Sequence, residues 1–143
     1  MKILFLDIDG VLNCKTTRVL FDCFLGVEPK KVQFLQRIKA ITNCQVVLSS
    51  TWRHHDKSVY YIEENVCHLF SLTGDDQYGH RGTEIKEWIE KWDYGTSNNK
   101  VDKYAILDDD SDMLPEQLPS FFQTSFETGL TEEITQKIIK HLL

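Results

Sequence analysis

The chain lacks a long apolar run. Its first apolar stretch, Ile3–Leu6, is broken by Asp7, and no other segment is long enough to span a bilayer. This predicts a soluble, cytoplasmic protein with no membrane partner. A basic surplus is also missing: net charge is −6 and the pI is about 5.3. That argues against a broad phosphate-binding surface for nucleic acid, though not against a small basic pocket for one phosphate. The four cysteines, Cys14, Cys23, Cys44 and Cys67, form no CxxC pair and no tight Cys/His cluster. A zinc site is therefore not indicated, and reduced thiols are expected. No repeat, low-complexity tract or Pro/Gly/Ser-rich linker divides the 143 residues, so they are read as a single domain, 1–143.

What is present is a core-forming composition, 41% hydrophobic and 11% aromatic, arranged in alternating segment types. The runs "KILFLD", "CQVVLSS" and "KYAILDDD" have the length and continuity of strands covered on both faces, and "SFFQTS" suggests a fourth. Between them, "EPKKVQFLQRIKAI" opens a helix at Pro29, and "RGTEIKEWIEKW" spaces Ile85, Trp88, Ile89 and Trp92 along one helix face. The tail "TEEITQKIIKHLL" places Glu132 and Glu133 at a helix start and Lys137, Lys140 and His141 toward its end, as the helix dipole favours. Residues 54–80 are less regular. They are read as a small insertion at the mouth of the site, with a helix around 58–69.

Strands alternating with helices predict an α/β fold, a Rossmann-like three-layer sandwich around a central parallel sheet. In such sheets ligands bind outside the carboxyl ends of the strands. Three polar clusters should meet there: Asp7 and Asp9; Ser49, Ser50 and Thr51; and Asp108, Asp109 and Asp110. Gly10 permits a bend that separates the directions of Asp7 and Asp9. Several carboxylates in one cleft repel unless a cation joins them, and an all-oxygen donor set fits Mg²⁺. Carboxylates beside Mg²⁺ point to phosphoryl transfer: one as nucleophile, a second as proton donor and acceptor. Ser49 or Ser50 is a candidate for the phosphate oxygens. Arg81, at a helix start, is the candidate cation, with Lys86 and Lys103 as alternatives. His54 and His55 have no paired ligand spacing and are read as exposed.

Four stretches resemble, in order, the motifs of the haloacid dehalogenase superfamily. "FLDIDGVL" resembles its DxDG[TV] motif, "VVLSS" its second, "RGTEI" its third and "YAILDDDSD" its fourth, over about residues 2–112. The resemblance implies that Asp7 is nucleophile and metal ligand. It makes Asp9 the acid/base, its carbonyl also on Mg²⁺, and gives Ser49 and Arg81 to the phosphate and Asp109 with Asp108 to the metal. Asp at the position of Asp9 resembles the phosphatases and phosphotransferases of the superfamily.

"VVLSSTWR", "RGTEIKEWI" and "ILDDDSDM" further resemble small bacterial and phage domains of RNA-repair proteins, related to the 3′-phosphatase half of polynucleotide kinase–phosphatases. Only residues 10–28 separate Asp9 from the first helix, so little or no cap is expected. An open site suits a phosphate on something large, a nucleic-acid end among the options, or a small substrate covered by another protein. Arg18 and Arg53 follow the first two motifs and are candidate substrate contacts. A non-catalytic metal-binding module is the remaining alternative.

Overall fold

The computed structural model describes residues 1–96 and 98–143. Its sheet is built on β1 (Lys2–Leu6), flanked by β4 (Gln45–Leu48) and β6 (Lys103–Asp108). Two short edge strands, β5 (Ser71–Leu72) and β7 (Phe121–Gln123), complete the order β5-β4-β1-β6-β7, and every pairing in it is parallel. β1 reads as an unbroken apolar run because both of its faces are covered. Leu4 and Leu6 face one layer, Ile3 and Phe5 the other, and all four are 0% exposed. Each such side chain contributes roughly 1.5–3 kcal/mol of burial.

One layer holds α1 (Pro29–Thr42), α2 (Asp56–Asn65) and α4 (Glu132–Leu142), whose Leu35, Ile38, Ile62, Ile138 and Leu142 join Leu4, Leu6, Val46 and Leu107. α1 begins at Pro29 as expected and ends where Asn43 turns left-handed at φ 56°, its N–H donating to the Lys39 carbonyl. α4 starts on Thr131, whose hydroxyl accepts the Ile134 N–H. The opposite layer is α3 (Arg81–Gly95), which lays Ile85, Trp88 and Ile89 on Ile3, Phe5, Val47 and Ile106. Trp92, on the same helix face, is half-buried like Trp88 and stacks parallel on it with ring centroids 5.8 Å apart. Among the described residues, no helix is long and apolar enough to cross a membrane.

Two expectations change. Segment 54–80 is mostly not an insertion: α2 and β5 belong to the layers, and Ile62, Val66 and Leu69 are buried. The helix in that segment also starts and ends earlier than 58–69. What projects instead is a hairpin, β2 (Leu20–Phe21) paired antiparallel with β3 (Phe24–Leu25). Its turn holds Asp22 at φ 52°. Phe21 ties the hairpin down by stacking on Tyr61 (4.4 Å) and Trp52 (5.9 Å).

Candidate active site

The sheet ladders continue one residue past each strand. The Asp7 N–H donates to the Leu107 carbonyl at 3.0 Å, and the Ser49 N–H to the Leu6 carbonyl at 2.9 Å. Asp7 thus stands between Ser49 on one side and Asp108 on the other, all three nearly or fully buried. Asp7, Asp108 and Asp109 each bring a carboxylate oxygen within 4.8 Å of the others. Burial, reinforced by the Asp108 charge, pushes Asp7 up to about 8 against the pull of Arg81. Burial also pushes Asp108 up to about 7. Both carboxyls are thus expensive to ionise even with Arg81 nearby.

Arg81 is the first residue of α3, and its Nη1 lies 4.0 Å from both Asp7 Oδ1 and Asp108 Oδ2. Those separations are within ion-pair range and too long for hydrogen bonds. Among the described residues, Arg81 Nη1, Ser49 Oγ and Asp108 Oδ2 are buried without a hydrogen-bond partner. Buried polar atoms of this kind need an explanation. Two of the three can donate to an anion beside Asp7, and the third can accept a cation. The donor set of Asp7, Asp108 and Asp109 is all oxygen, so these residues fit a hard divalent ion such as Mg²⁺.

The open alternatives resolve by placement. Ser50 Oγ accepts the Trp52 N–H at 3.1 Å to cap the 3₁₀ helix Thr51–His54, which leaves Ser49 as the unengaged hydroxyl. Lys86 pairs outward with Glu116 and Glu90, and Lys103 sits at the end of β6 remote from Asp108. Arg81 is therefore the cation at the carboxylates. Asp108 and Asp109 both join the cluster.

Gly10 makes room for Asp109. At φ +75°, a Cβ on Gly10 would sit 2.3 Å from Asp109 Oδ2 and 2.9 Å from its Cβ. Gly10→Ala is expected to cost about 1–2 kcal/mol for the left-handed backbone, with more for the clash. It should also weaken Mg²⁺ binding by displacing Asp109. Thermal unfolding with and without Mg²⁺ measures both, and an unchanged midpoint and Mg²⁺ shift would show that Asp109 yields freely.

Asp9 is exposed and held by two donors that the sequence did not single out. Asn13 Nδ2 donates to Oδ1 at 2.9 Å, and Trp52 Nε1 donates to Oδ2 at 3.0 Å. Asn13 is itself fixed, accepting the Gly10 N–H and donating to the Gly26 carbonyl. Glu84 is a second omission. Its 4%-exposed carboxylate lies 3.1 Å from Arg53 Nη2 and 3.6 Å from Arg81 Nε. Arg53, expected at the substrate, is taken up internally by Glu84, Asp75 and the Ser50 carbonyl. Its part is to hold Glu84, and through it Arg81. His54 is exposed, as expected, and pairs with Asp75. Arg18 lies exposed ahead of β2. The loop after β6 closes onto α3 through Asp112, which accepts the N–H groups of Arg81 and Gly82. A Cβ on Gly82 would meet the Leu114 nitrogen at 2.7 Å, so glycine lets that loop approach.

A parallel α/β sheet with buried carboxylates, a hydroxyl and an arginine at the carboxyl ends of its strands defines a haloacid dehalogenase-type domain. The chain belongs to the family described as the HAD domain in Swiss Army Knife RNA repair proteins, whose model matches residues 3–134. No curated protein and no solved structure matches it. Membership supports a phosphatase-like role within the superfamily.

Proposed function

We propose that the protein is a Mg²⁺-dependent phosphatase that hydrolyses a phosphate monoester through an aspartyl-phosphate on Asp7. The observation that carries the reading is that Ser49 Oγ and Arg81 Nη1, on elements flanking Asp7, and Asp108 Oδ2 are all buried without a hydrogen-bond partner, with Arg81 Nη1 4.0 Å from Asp7 Oδ1. Asp7, Asp108 and Asp109, with the carbonyl of Asp9, would hold Mg²⁺, which neutralises their charge and that of the phosphate. Ser49 and Arg81 hold the non-bridging phosphate oxygens. A carboxylate oxygen of Asp7 forms a bond to phosphorus as the ester P–O bond breaks, and the leaving oxygen takes its proton from Asp9. Asp9 then accepts a proton from water, whose oxygen bonds to phosphorus while the Asp7 acyl-phosphate P–O bond breaks. Free phosphate leaves and Asp7 is restored. Asn13 and Trp52 fix the Asp9 carboxyl in one orientation for both transfers.

A second reading narrows the substrate to a 3′-phosphate on a nucleic-acid end. The family's occurrence in RNA repair proteins favours it. A panel of a 3′-phosphorylated oligoribonucleotide, its 5′-phosphorylated isomer and sugar phosphates tests both readings. Mg²⁺-dependent phosphate release from any member supports the phosphatase, and preference for the 3′-phosphorylated end supports the narrower one. No release from any member overturns both.

A further inference from the structure

Beside Asp9, on the side of the hairpin, lies a cavity of about 260 Å³. Its walls include Phe21, Phe24, Trp52, His55 and Ser58, with Asp9 on its border. Ser49, Arg81, Asp7 and Asp108 do not line it. It opens toward a larger hollow of about 500 Å³ that shares Phe21, Phe24, His55 and Ser58. Resting on the phosphatase reading, the direction of chemistry then assigns the cavity. The phosphoryl group is held by Ser49 and Arg81. The leaving group departs from phosphorus on the side of the group that protonates it, Asp9. The cavity at Asp9 is therefore where the remainder of the substrate lies.

We propose that this cavity is a subsite for the nucleobase of the nucleotide that bears the phosphate. Its volume is below the roughly 300–1,000 Å³ of sites for larger organic ligands and suits one planar ring system. Trp52 and Phe21, stacked on one another with ring centroids 5.9 Å apart and planes 30° from parallel, form one aromatic side of the cavity. Phe24, 66% exposed, offers a second face from the hairpin with nothing in the described chain covering it. Aromatic faces of this kind bind bases by stacking, whichever base is present. The Ser58 hydroxyl and the exposed His55 ring supply edge-on hydrogen-bonding groups, which a heterocyclic base uses and a plain hydrocarbon does not. Trp52 thereby serves twice: its ring walls the base site while its Nε1 holds Asp9. The nucleobase and the proton donor are coupled through one side chain.

The test uses Asp7→Asn protein with Mg²⁺, so that ligands bind without turnover. Calorimetric affinity for uridine 3′-monophosphate is compared with that for β-glycerol phosphate, which carries the phosphate and no ring. The nucleotide is expected to bind roughly tenfold tighter or better. It should also shift the Trp52 indole N–H resonance, which glycerol phosphate leaves in place. Adding Phe24→Ala should collapse the preference, and Phe24→Tyr should keep it. Equal affinity for the two ligands overturns the subsite, as does a preference that survives Phe24→Ala. Phosphotyrosine binding as tightly as the nucleotide overturns the assignment to a nucleobase. Catalysis is scored separately, by wild-type hydrolysis of β-glycerol phosphate and the nucleotide. If neither these nor any member of the phosphorylated panel above is hydrolysed while nucleotide binding remains selective, the phosphatase reading falls and the subsite stands.

Discussion

Replacing Asp7 with asparagine is expected to reduce phosphate release by about 10⁴-fold or more, the scale on which removal of a covalent nucleophile is felt. The substitution is nearly isosteric, and the Asp7 N–H bond to Leu107 belongs to the backbone and is untouched. An amide nitrogen or oxygen there cannot form and release an acyl-phosphate. The variant should fold as well as the parent. Burial and the Asp108 charge push the Asp7 carboxyl well above its ordinary range, which favours its neutral form in the absence of metal. Exchanging a neutral acid for a neutral amide removes little. Loss of turnover with an unchanged unfolding midpoint in EDTA therefore isolates chemistry from folding. Turnover within tenfold of the parent would show that Asp7 is not the nucleophile, and water would have to be activated directly by Asp9. A fallen midpoint would instead assign Asp7 a structural part that its contacts do not show.

The fold was legible where burial is two-sided or periodic. β1, β4 and β6 read as strands because continuous apolar runs are what a sheet covered on both faces requires. α1, α3 and α4 read as helices from facing spacing and terminal residues. The hairpin and β5 were not legible, because two-residue strands are shorter than any periodicity that could reveal them. Segment 54–80 looked irregular for a related reason. α2 buries chiefly Ile62 and leaves most of its other side chains toward solvent, so its apolar pattern is thin.

In the site, residues that sit at strand ends were found and residues that act through tertiary contact were not. Asp7, Ser49 and Asp108 are neighbours because their strands pair in register, which topology alone implies. Trp52 reaches Asp9 across 43 positions, and no local spacing announces it. Glu84 could have been suspected, since a glutamate in the first turn of α3, three residues after Arg81, lies on the same helix face. Arg53 was read as a candidate substrate contact from its place after the second motif, and the acids that engage its side chain lie 22 and 31 positions away, where no local spacing shows them. Here two carboxylates and a carbonyl compensate for burying it, and its side chain is 5% exposed.

Removing Mg²⁺ with EDTA is expected to abolish phosphate release, and its return to restore it. The same site should impose a pH dependence on stability. Asp7 and Asp108 have folded-state values near 8 and 7, against 3.8 for a free carboxyl. A raised folded value means that the folded protein binds the proton more tightly than the unfolded chain does. The stability this confers is complete below about pH 4 and is lost as pH rises through the folded values. In EDTA the unfolding midpoint should therefore fall between about pH 4 and about pH 8, the interval in which the unfolded chain has ionised these groups and the folded protein has not. Mg²⁺ binds the ionised pair, so the stabilisation it gives should be larger at the upper end of that range. Other groups titrate across the same interval, and Asp108→Asn separates them. It removes one of the two raised carboxyls and relieves Asp7 of its nearest like charge. The EDTA profile of this variant should be flatter than the parent's, and its Mg²⁺ shift smaller at every pH. A parent profile that is already flat, or an Asp108→Asn profile that overlays it, would mean that the strand-end acids carry no unrelieved charge, and the case for a cation among them would lose its physical basis.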